Sequence, residues 1–456
     1  MLLPRISILS SLQVLALAQS THPVEDQQPF SQAHLEELER KWGIDWGFSG
    51  IPTFAHLPHI RCLTQPETTY DIGILGAPFD TAVSYRPGAR FGPRAIRAGS
   101  SRQTSFRGFN PRANLNPYTS WAKIVDCGDI PITPFDNALA LRQMSEAYKE
   151  LGHRLPTTES LDSSTSFLHK PKLLTLGGDH SIALPALRAL KEVYGQPIAV
   201  VHFDAHLDTW HPAKYPSAWI DPTAISTQSF FNHGSMFWIA STEGLIANGS
   251  SVHAGLRTRL SGDDTVDFAD DNQQGWIRIS TDDIDEIGVK GVITSIMERV
   301  GTETPVYLSI DIDVIDPGLA PGTGTPEPGG WTTREVIRIL RGIEGLNVVG
   351  ADIVEVSPAY DGSSEVTGLA AAQLAYEVLT SIVRKGLIEQ AKVGKGGKKH
   401  LAPHHSTAFQ GYYSKFGLPS GAHLALIICT VPNATERPPH MVTFTYYPAS
   451  GPPIYQ

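Results

Sequence analysis

Between residues 71 and 386 the chain alternates short apolar runs with amphipathic stretches. The runs fall at 72–77 (IGILGA), 123–128, 172–176 (KLLTL), 197–203 (PIAVVHF), 251–256, 276–280, 306–312 (VYLSIDI) and 348–354 (VVGADIV). Each is almost continuously apolar, as strands covered on both faces must be. Helical segments between them include 183–194, 333–342 and 365–384. This βα alternation predicts a parallel sheet with helices on both sides, a three-layer α/β/α sandwich around an eight-stranded parallel sheet. Residues 19–70 are polar with a helical piece around 31–41, which predicts an N-terminal extension packed on the core. Residues 392–400 (KVGKGGKKH) form a basic, glycine-rich linker, and the tail 387–456 is rich in Pro, His and Tyr. One apolar run there, 424–431, has strand character, but nothing follows that would pack it, and the tail carries no recognisable chemistry.

Four of the predicted strands end in polar residues foreign to an apolar setting. The run 172–176 leads into Gly177-Gly178-Asp179-His180-Ser181, and 197–203 into Asp204-Ala205-His206-Leu207-Asp208. The run 306–312 contains Asp311 and leads to Asp313, and 348–354 leads to Glu355. Ligands of open α/β sheets bind outside the carboxyl ends of the strands, so these four ends belong to one crevice. In extended chain, residues two apart point the same way. Asp204, His206 and Asp208 are therefore expected to project together, as are Asp311 and Asp313, with His180 arriving from a third strand. A single aspartate at a strand end is usually a turn or helix cap, and Asp179 fits that plainer role. Alternating ligands on two strands beside a third do not.

Four carboxylates so close repel one another and protonate unless cations are present. Two divalent ions offset four negative charges. Calcium and magnesium sites seldom use imidazole, and structural zinc prefers four-coordinate sites of His and Cys. One histidine per ion, with carboxylate oxygens otherwise, suits manganese ahead of iron, cobalt or nickel.

The bulk properties narrow the remaining possibilities. A net charge of −10 argues against a nucleic-acid partner, which demands a basic face, and permits a cationic substrate. Cys62, Cys127 and Cys429 are widely separated, so neither a disulfide scaffold nor a thiolate zinc site is expected, and Cys127 reads as a small buried hydrophobe. Residues 1–18 read as a signal peptide. Arg5 precedes the apolar stretch ISILSSLQVLALA, and Ala16-Leu17-Ala18 supplies an A-x-A cleavage site, which predicts secretion. That stretch is too short and too interrupted to span a bilayer, and nothing else approaches that length, so no membrane partner is expected. Asn248-Gly249-Ser250 and Asn433-Ala434-Thr435 are glycosylation sequons in keeping with secretion.

The strand-end motifs resemble those of the ureohydrolase family, which includes arginase, agmatinase and guanidinobutyrase. They are GGDHS at 177–181, FDAHLD at 203–208 and SIDIDVIDP at 309–317. GAPFD at 76–80, RPGARFGPRAIR at 86–97, HGSMF at 233–237, APGTGTPEPGG at 320–330 and ADIVEVSPAYD at 351–361 support them. The resemblance spans roughly residues 65–386 and implies the sandwich fold expected above. It also implies two manganese ions bridged by Asp204 and Asp311, with His180 and Asp208 completing one shell and His206 and Asp313 the other. Glu355 would hold the substrate guanidinium, Asp208 would pass a proton to the leaving amine, and His233 would exchange protons with solvent. Members of the family form trimers and hexamers, so a homo-oligomer is expected.

Within the family, arginase continues past its last aspartate with an asparagine that binds the substrate carboxylate. Here the chain reads Asp208-Thr209-Trp210-His211, and that asparagine is missing. HGSMF followed by EGLI, and PGTGTPEPGG, look like the agmatinase branch. Agmatine is therefore the expected small guanidino substrate and guanidinobutyrate the alternative, since residues 209–232 are longer than the family's usual loop. A homologue that binds metal or polyamine without turnover is the non-enzymatic reading. The retention of all six ligands with His233 and Glu355 speaks against it.

Overall fold

In the computed structural model the described residues are 31–158, 167–214, 230–396 and four strands between 410 and 455. The signal-peptide reading of residues 1–18, the sequon at Asn433 and most of the loop 209–232 lie outside them. Asn248 is exposed.

Eight strands form one sheet: β1 (Ile72–Ala77), β2 (Ile124–Asp129), β3 (Lys172–Gly177), β4 (Ala199–Phe203), β5 (Ser251–Leu256), β6 (Trp276–Ser280), β7 (Pro305–Asp311) and β8 (Asn347–Val354). Every neighbouring pair is parallel, and the spatial order is β2-β1-β3-β8-β7-β4-β5-β6. The expected eight-stranded α/β/α sandwich is what the chain forms. Between β3 and β4 the chain passes over β8 and β7, which places the topological switch, and the crevice that goes with it, over four adjacent strands.

The helices follow ordinary local rules. α1 (Gln32–Trp42) is capped by Ser31, which accepts from the His34 N–H, and it buries no residue. The other α-helices among the described residues are α2 (Gly92–Gly99), α3 (Asn137–Gly152), α4 (Ala183–Tyr194), α5 (Met236–Thr242), α6 (Val266–Gln273), α7 (Asp283–Val300), α8 (Thr333–Gly342) and α9 (Val366–Gly396). α8 opens with a capping box between Thr332 and Glu335. The stretch Val366–Ala391 within α9 is long and apolar enough to cross a bilayer, contrary to the expectation that no such segment exists. Its most apolar window is 78% buried within the protein, and Ala371, Leu374, Leu379 and Val383 are in the hydrophobic core, which is how a core helix meets the same test.

The described residues divide between two compact units, one ending at Gly50 and the other beginning at Ile51. In the second unit Phe54, Ala55 and Leu57 join the core. The tail has more regular structure than its composition suggests. Strand β10 (His423–Thr430) does have partners, since β9 (Gln410–Gly417) and β11 (His440–Tyr447) flank it antiparallel and β12 (Ile454–Tyr455) pairs with β11. The glycine-rich linker begins inside α9, which runs to Gly396.

Cys127 corrects the reading of the cysteines. It is bonded to Cys62, 65 residues earlier, with a Cα–Cα distance of 5.1 Å. Spacing in sequence says nothing about such a pair, because the fold brings the segment before β1 against β2. Closing a loop of that length removes about 4 kcal/mol of chain entropy from the unfolded state in the simplest treatment. Non-reducing peptide mapping should therefore find Cys62 linked to Cys127, and Cys62→Ser should lower the unfolding temperature. Free thiols at both positions in the purified protein would contradict the pairing.

Candidate metal centre

The crevice is built by turns rather than by extended strand. β4 ends at Phe203 and β7 at Asp311, so the aspartates and histidines of FDAHLD and IDIDV lie where the chain bends. Asp204 accepts the His206 N–H at 2.6 Å, Asp311 the Asp313 N–H at 2.8 Å, and Asp179 the Ser181 N–H at 3.0 Å. The same local bond recurs at three strand ends, an aspartate oxygen satisfying the backbone two residues on. Residues two apart do converge as expected, but these turns, and not the pleat, bring them together. Asp179 is the cap it was expected to be, and its other oxygen accepts the Ala82 N–H. Gly178, at φ +38°, makes room for this packing, because a Cβ there would lie 2.4 Å from the Ala77 carbonyl oxygen.

All six expected metal ligands meet in one place. His180 Nδ1 lies 3.0 Å from Asp204 Oδ2, 3.2 Å from Asp208 Oδ2 and 3.3 Å from Asp311 Oδ2. It makes no hydrogen bond of acceptable geometry to any of them. Four donor atoms converging without bonding one another is the geometry of a cation cradle. A second convergence lies beside it, where His206 Nδ1 is 3.1 Å from Asp204 Oδ1 and 3.1 Å from Asp313 Oδ2. Asp204 belongs to both groups, one oxygen facing each. The sets able to hold a metal ion are His180, His202, Asp204 and Asp208 on one side and Asp204, His206 and Asp313 on the other, with Asp311 bordering the first.

Electrostatics point the same way. Burial raises the Asp311 carboxyl well above the ordinary range, and Asp313 and Asp204 raise it further. Burial and then Asp204 push Asp208 up to about 6, and the same two causes raise Asp313. A carboxyl whose pKa is higher folded than unfolded holds its proton in the fold at a pH where the unfolded chain has lost it. Such a group costs stability as pH climbs from the ordinary carboxylate range through the folded value. The protein without cations is therefore destabilised from about pH 4 to beyond pH 6.

Glu355 sits at the edge of this cluster. Its Oε1 accepts the His180 N–H at 2.9 Å and His233 Nδ1–H at 3.1 Å, while its buried Oε2 has no partner. The Ser84 N–H donates to His233 Nε2 at 2.9 Å, which leaves the ring proton on Nδ1. Burial opposes a second proton on His233 and Glu355 favours it, with the net effect upward. In this arrangement the Ser84 backbone N–H occupies Nε2, and Ser84 Oγ, 2.8 Å from the same nitrogen, is placed to accept from it once that N–H gives way and the ring takes a second proton. Asp208 and Glu355 both have left-handed backbone, at φ +57° and +60°, a conformation of some 1–3 kcal/mol cost that is typical of functional positions. A cavity of about 260 Å³ opens onto the cluster, lined among others by Ser84, Asp208, Trp210, His233 and Arg259.

Other polar residues here were not expected from sequence. His202 and His253 are fully buried histidines inside apolar strands, and Glu327 Oε1 lies 3.7 Å from His206 Nε2. His202 stands two residues before Asp204, so the alternation that singled out Asp204, His206 and Asp208 extends one step further back. His253 and Glu327 carry no comparable local signal.

Comparison with known proteins agrees with this geometry. The model of the arginase family matches residues 70–380. A Schizosaccharomyces pombe protein named "Putative agmatinase 1" is 49% identical over 352 residues, covering 76% of this chain and 86% of that one. Agmatinase from Chromobacterium violaceum is 37% identical over 340 residues, covering 74% and 90%. The solved structure of proclavaminate amidino hydrolase from Streptomyces clavuligerus superposes with a TM-score of 0.62 at 35% identity, covering 75% of this chain and all of that one. The chain belongs to the arginase family, is a ureohydrolase, and resembles the family's agmatinases.

Proposed function

We propose that this hydrolase carries two manganese ions, cleaves agmatine and releases urea. The observation that supports this most is the pairing of a two-lobed carboxylate–histidine cluster with an unpartnered, buried carboxylate oxygen on Glu355. His180 and Asp208 would hold one ion and His206 and Asp313 the other, with Asp204 and Asp311 shared. The donor set, one imidazole per ion among carboxylates, suits manganese. Two such ions supply Lewis acidity and lower the pKa of water into the neutral range.

The chain's own groups do the rest. Glu355 Oε2 pairs with the guanidinium and holds its carbon over the cluster, removing the orientational cost of attack on a poor electrophile. Asp208, through the oxygen not turned toward His180, would accept a proton and return it to the departing amine. His233, between Glu355 and the cavity, exchanges protons with solvent once Ser84 releases its Nε2.

Specificity is set at the far end of the cavity. The Trp210 indole N–H already donates to Asp267 Oδ2 at 2.9 Å, so it is not available to a substrate carboxylate. Lys214 pairs with Asp267 and Asp270, and Arg259 lies 3.7 Å from Glu327. Asp267 and Asp270 thus neutralise the Lys214 that lines the cavity, so it does not draw a substrate carboxylate, and a substrate ending in an ammonium group is the better fit. A second reading has one specific support. Arg259 is 87% exposed and free to turn toward a carboxylate tail, as in guanidinobutyrate. Urea release from agmatine, arginine and guanidinobutyrate at matched concentration with added manganese tests the assignment. Agmatine should exceed arginine by at least about 100-fold, the scale set by an unpaired buried charge. A lead for guanidinobutyrate would transfer the assignment to Arg259. No urea from any of them would favour a binding protein without turnover.

We propose also that the protein is secreted. The segment 1–18 has the signal-peptide pattern, and the Cys62–Cys127 bond belongs to an oxidising compartment. N-terminal sequencing of the mature protein should begin at or near Gln19. An intact Met1 on cytosolic material would refute secretion.

A further inference from the structure

Behind the cluster runs a buried line of polar groups that the proposed reaction does not use. His202 on β4 and His253 on β5 are register partners, both fully buried, and their Nδ1 atoms are 2.7 Å apart. His202 Nε2 is 2.8 Å from Asp204 Oδ2, and His253 Nε2 is 3.0 Å from Asp271 Oδ1 on α6. Carboxylates only accept, so the Nε2–H of His202 points at Asp204 and that of His253 at Asp271. The central contact then needs a third N–H proton between the two facing nitrogens, so one of the two rings is an imidazolium, its charge offset by Asp204 and Asp271. Ring rotation or a change of tautomer at any member therefore breaks at least one bond of the line.

Packing holds the rings in these planes. Trp276 stacks on His253 with centroids 4.1 Å apart and an interplanar angle of 17°. Phe237 meets His202 edge-on at 4.8 Å. At the far end Asp271 is fixed from two sides. Arg278 Nη1 donates to its Oδ2 at 2.6 Å, and Thr209 Oγ1 donates to its Oδ1 at 2.9 Å. Thr209 directly follows Asp208, whose left-handed backbone needs support, and Gln274 Nε2 donates to the Thr209 carbonyl at 3.0 Å. One carboxylate thus steadies two others, Asp204 by way of two imidazoles and Asp208 by way of its neighbour.

We infer that Asp271 is a positioning residue for the metal centre, orienting Asp204 through His253 and His202 and fixing the Asp208 turn through Thr209. The inference rests on the metal-centre reading given above. Groups that orient metal ligands from outside are worth about 10–100-fold in affinity when removed. The role differs from simple stability because its effect is felt in metal binding by an already folded protein.

The test is calorimetric titration of metal-free protein with manganese alone, beside thermal unfolding of each metal-free variant. Asp271→Asn should bind manganese about 10–100-fold more weakly than wild type. Thr209→Val, which breaks only the Asp208 branch, should weaken the ion held by His180 and Asp208 more than the other. Arg278→Gln removes the partner of Asp271 Oδ2 but leaves Thr209 and His253 on Oδ1, so it should lower the unfolding temperature and weaken manganese binding less than Asp271→Asn does. If Asp271→Asn does not fold, Thr209→Val and His253→Gln decide, and both should show weakened binding. Wild-type affinity in the folded members of this set would overturn the positioning role, as would an Arg278→Gln loss equal to that of Asp271→Asn. A wild-type protein that takes up no manganese would instead overturn the metal-centre reading itself, and the role with it.

Discussion

Four carboxylates buried within one crevice are the constraint around which the structure is arranged. Taking even one such charge out of water is costly, and like charges in contact compound the cost. Asp204, Asp208, Asp311 and Asp313 are all at least nine-tenths buried, and His180 and His206, whose pKa these carboxylates raise against burial, offset part of their charge. Burial keeps Asp208, Asp311 and Asp313 inclined to hold protons while His202, His180 and His206 keep Asp204 charged, so without cations the cluster is tolerated by protons on its carboxyls and imidazoles. A stable sheet can carry such a site because its strands are apolar along their length and concentrate polarity at one end. The order β3-β8-β7-β4 then places His180, Glu355, the Asp311–Asp313 turn and the Asp204–Asp208 turn side by side.

Part of the fold's conformational cost falls at the same ends. Asp208 and Glu355 occupy backbone space that side chains avoid, and Gly178 is there because a Cβ would strike the neighbouring turn. The hydrogen bonds that offset this cost are short-range and repeated, an aspartate accepting from the backbone two residues on. The device satisfies one oxygen of Asp204 and of Asp311, and in each the other oxygen faces His180.

Much of this was legible in the sequence because it is local. Strands buried on both faces must be continuously apolar, so Ile72–Ala77 or Ser251–Leu256 stand out, and an Asp or His ending such a run is conspicuous. The helices at 183–194 and 333–342 follow from spacing in the same way. What escaped depends on contacts between distant segments. Cys62 meets Cys127 only after β2 lies against the segment before β1. His253 looks like one polar residue in a core strand until β5 pairs with β4. Asp271 lies in a polar helix, VDFADDNQ, where nothing marks one acid above its neighbours. The strands at 410–417 and 440–447 are short, mixed in polarity and separated by residues rich in proline and glycine, and they become strands by pairing with β10.

The account stands or falls on whether the buried carboxylates are there to hold two cations. Manganese content of the loaded protein, measured together with the rise in unfolding temperature on loading, tests this most directly. Two ions per chain are predicted, with a larger rise at pH 7.5 than at pH 5, because Asp208 and its neighbours hold protons at the lower pH and must give them up to bind metal. One ion per chain with full urea-releasing activity, or the same rise at both pH values, would contradict it.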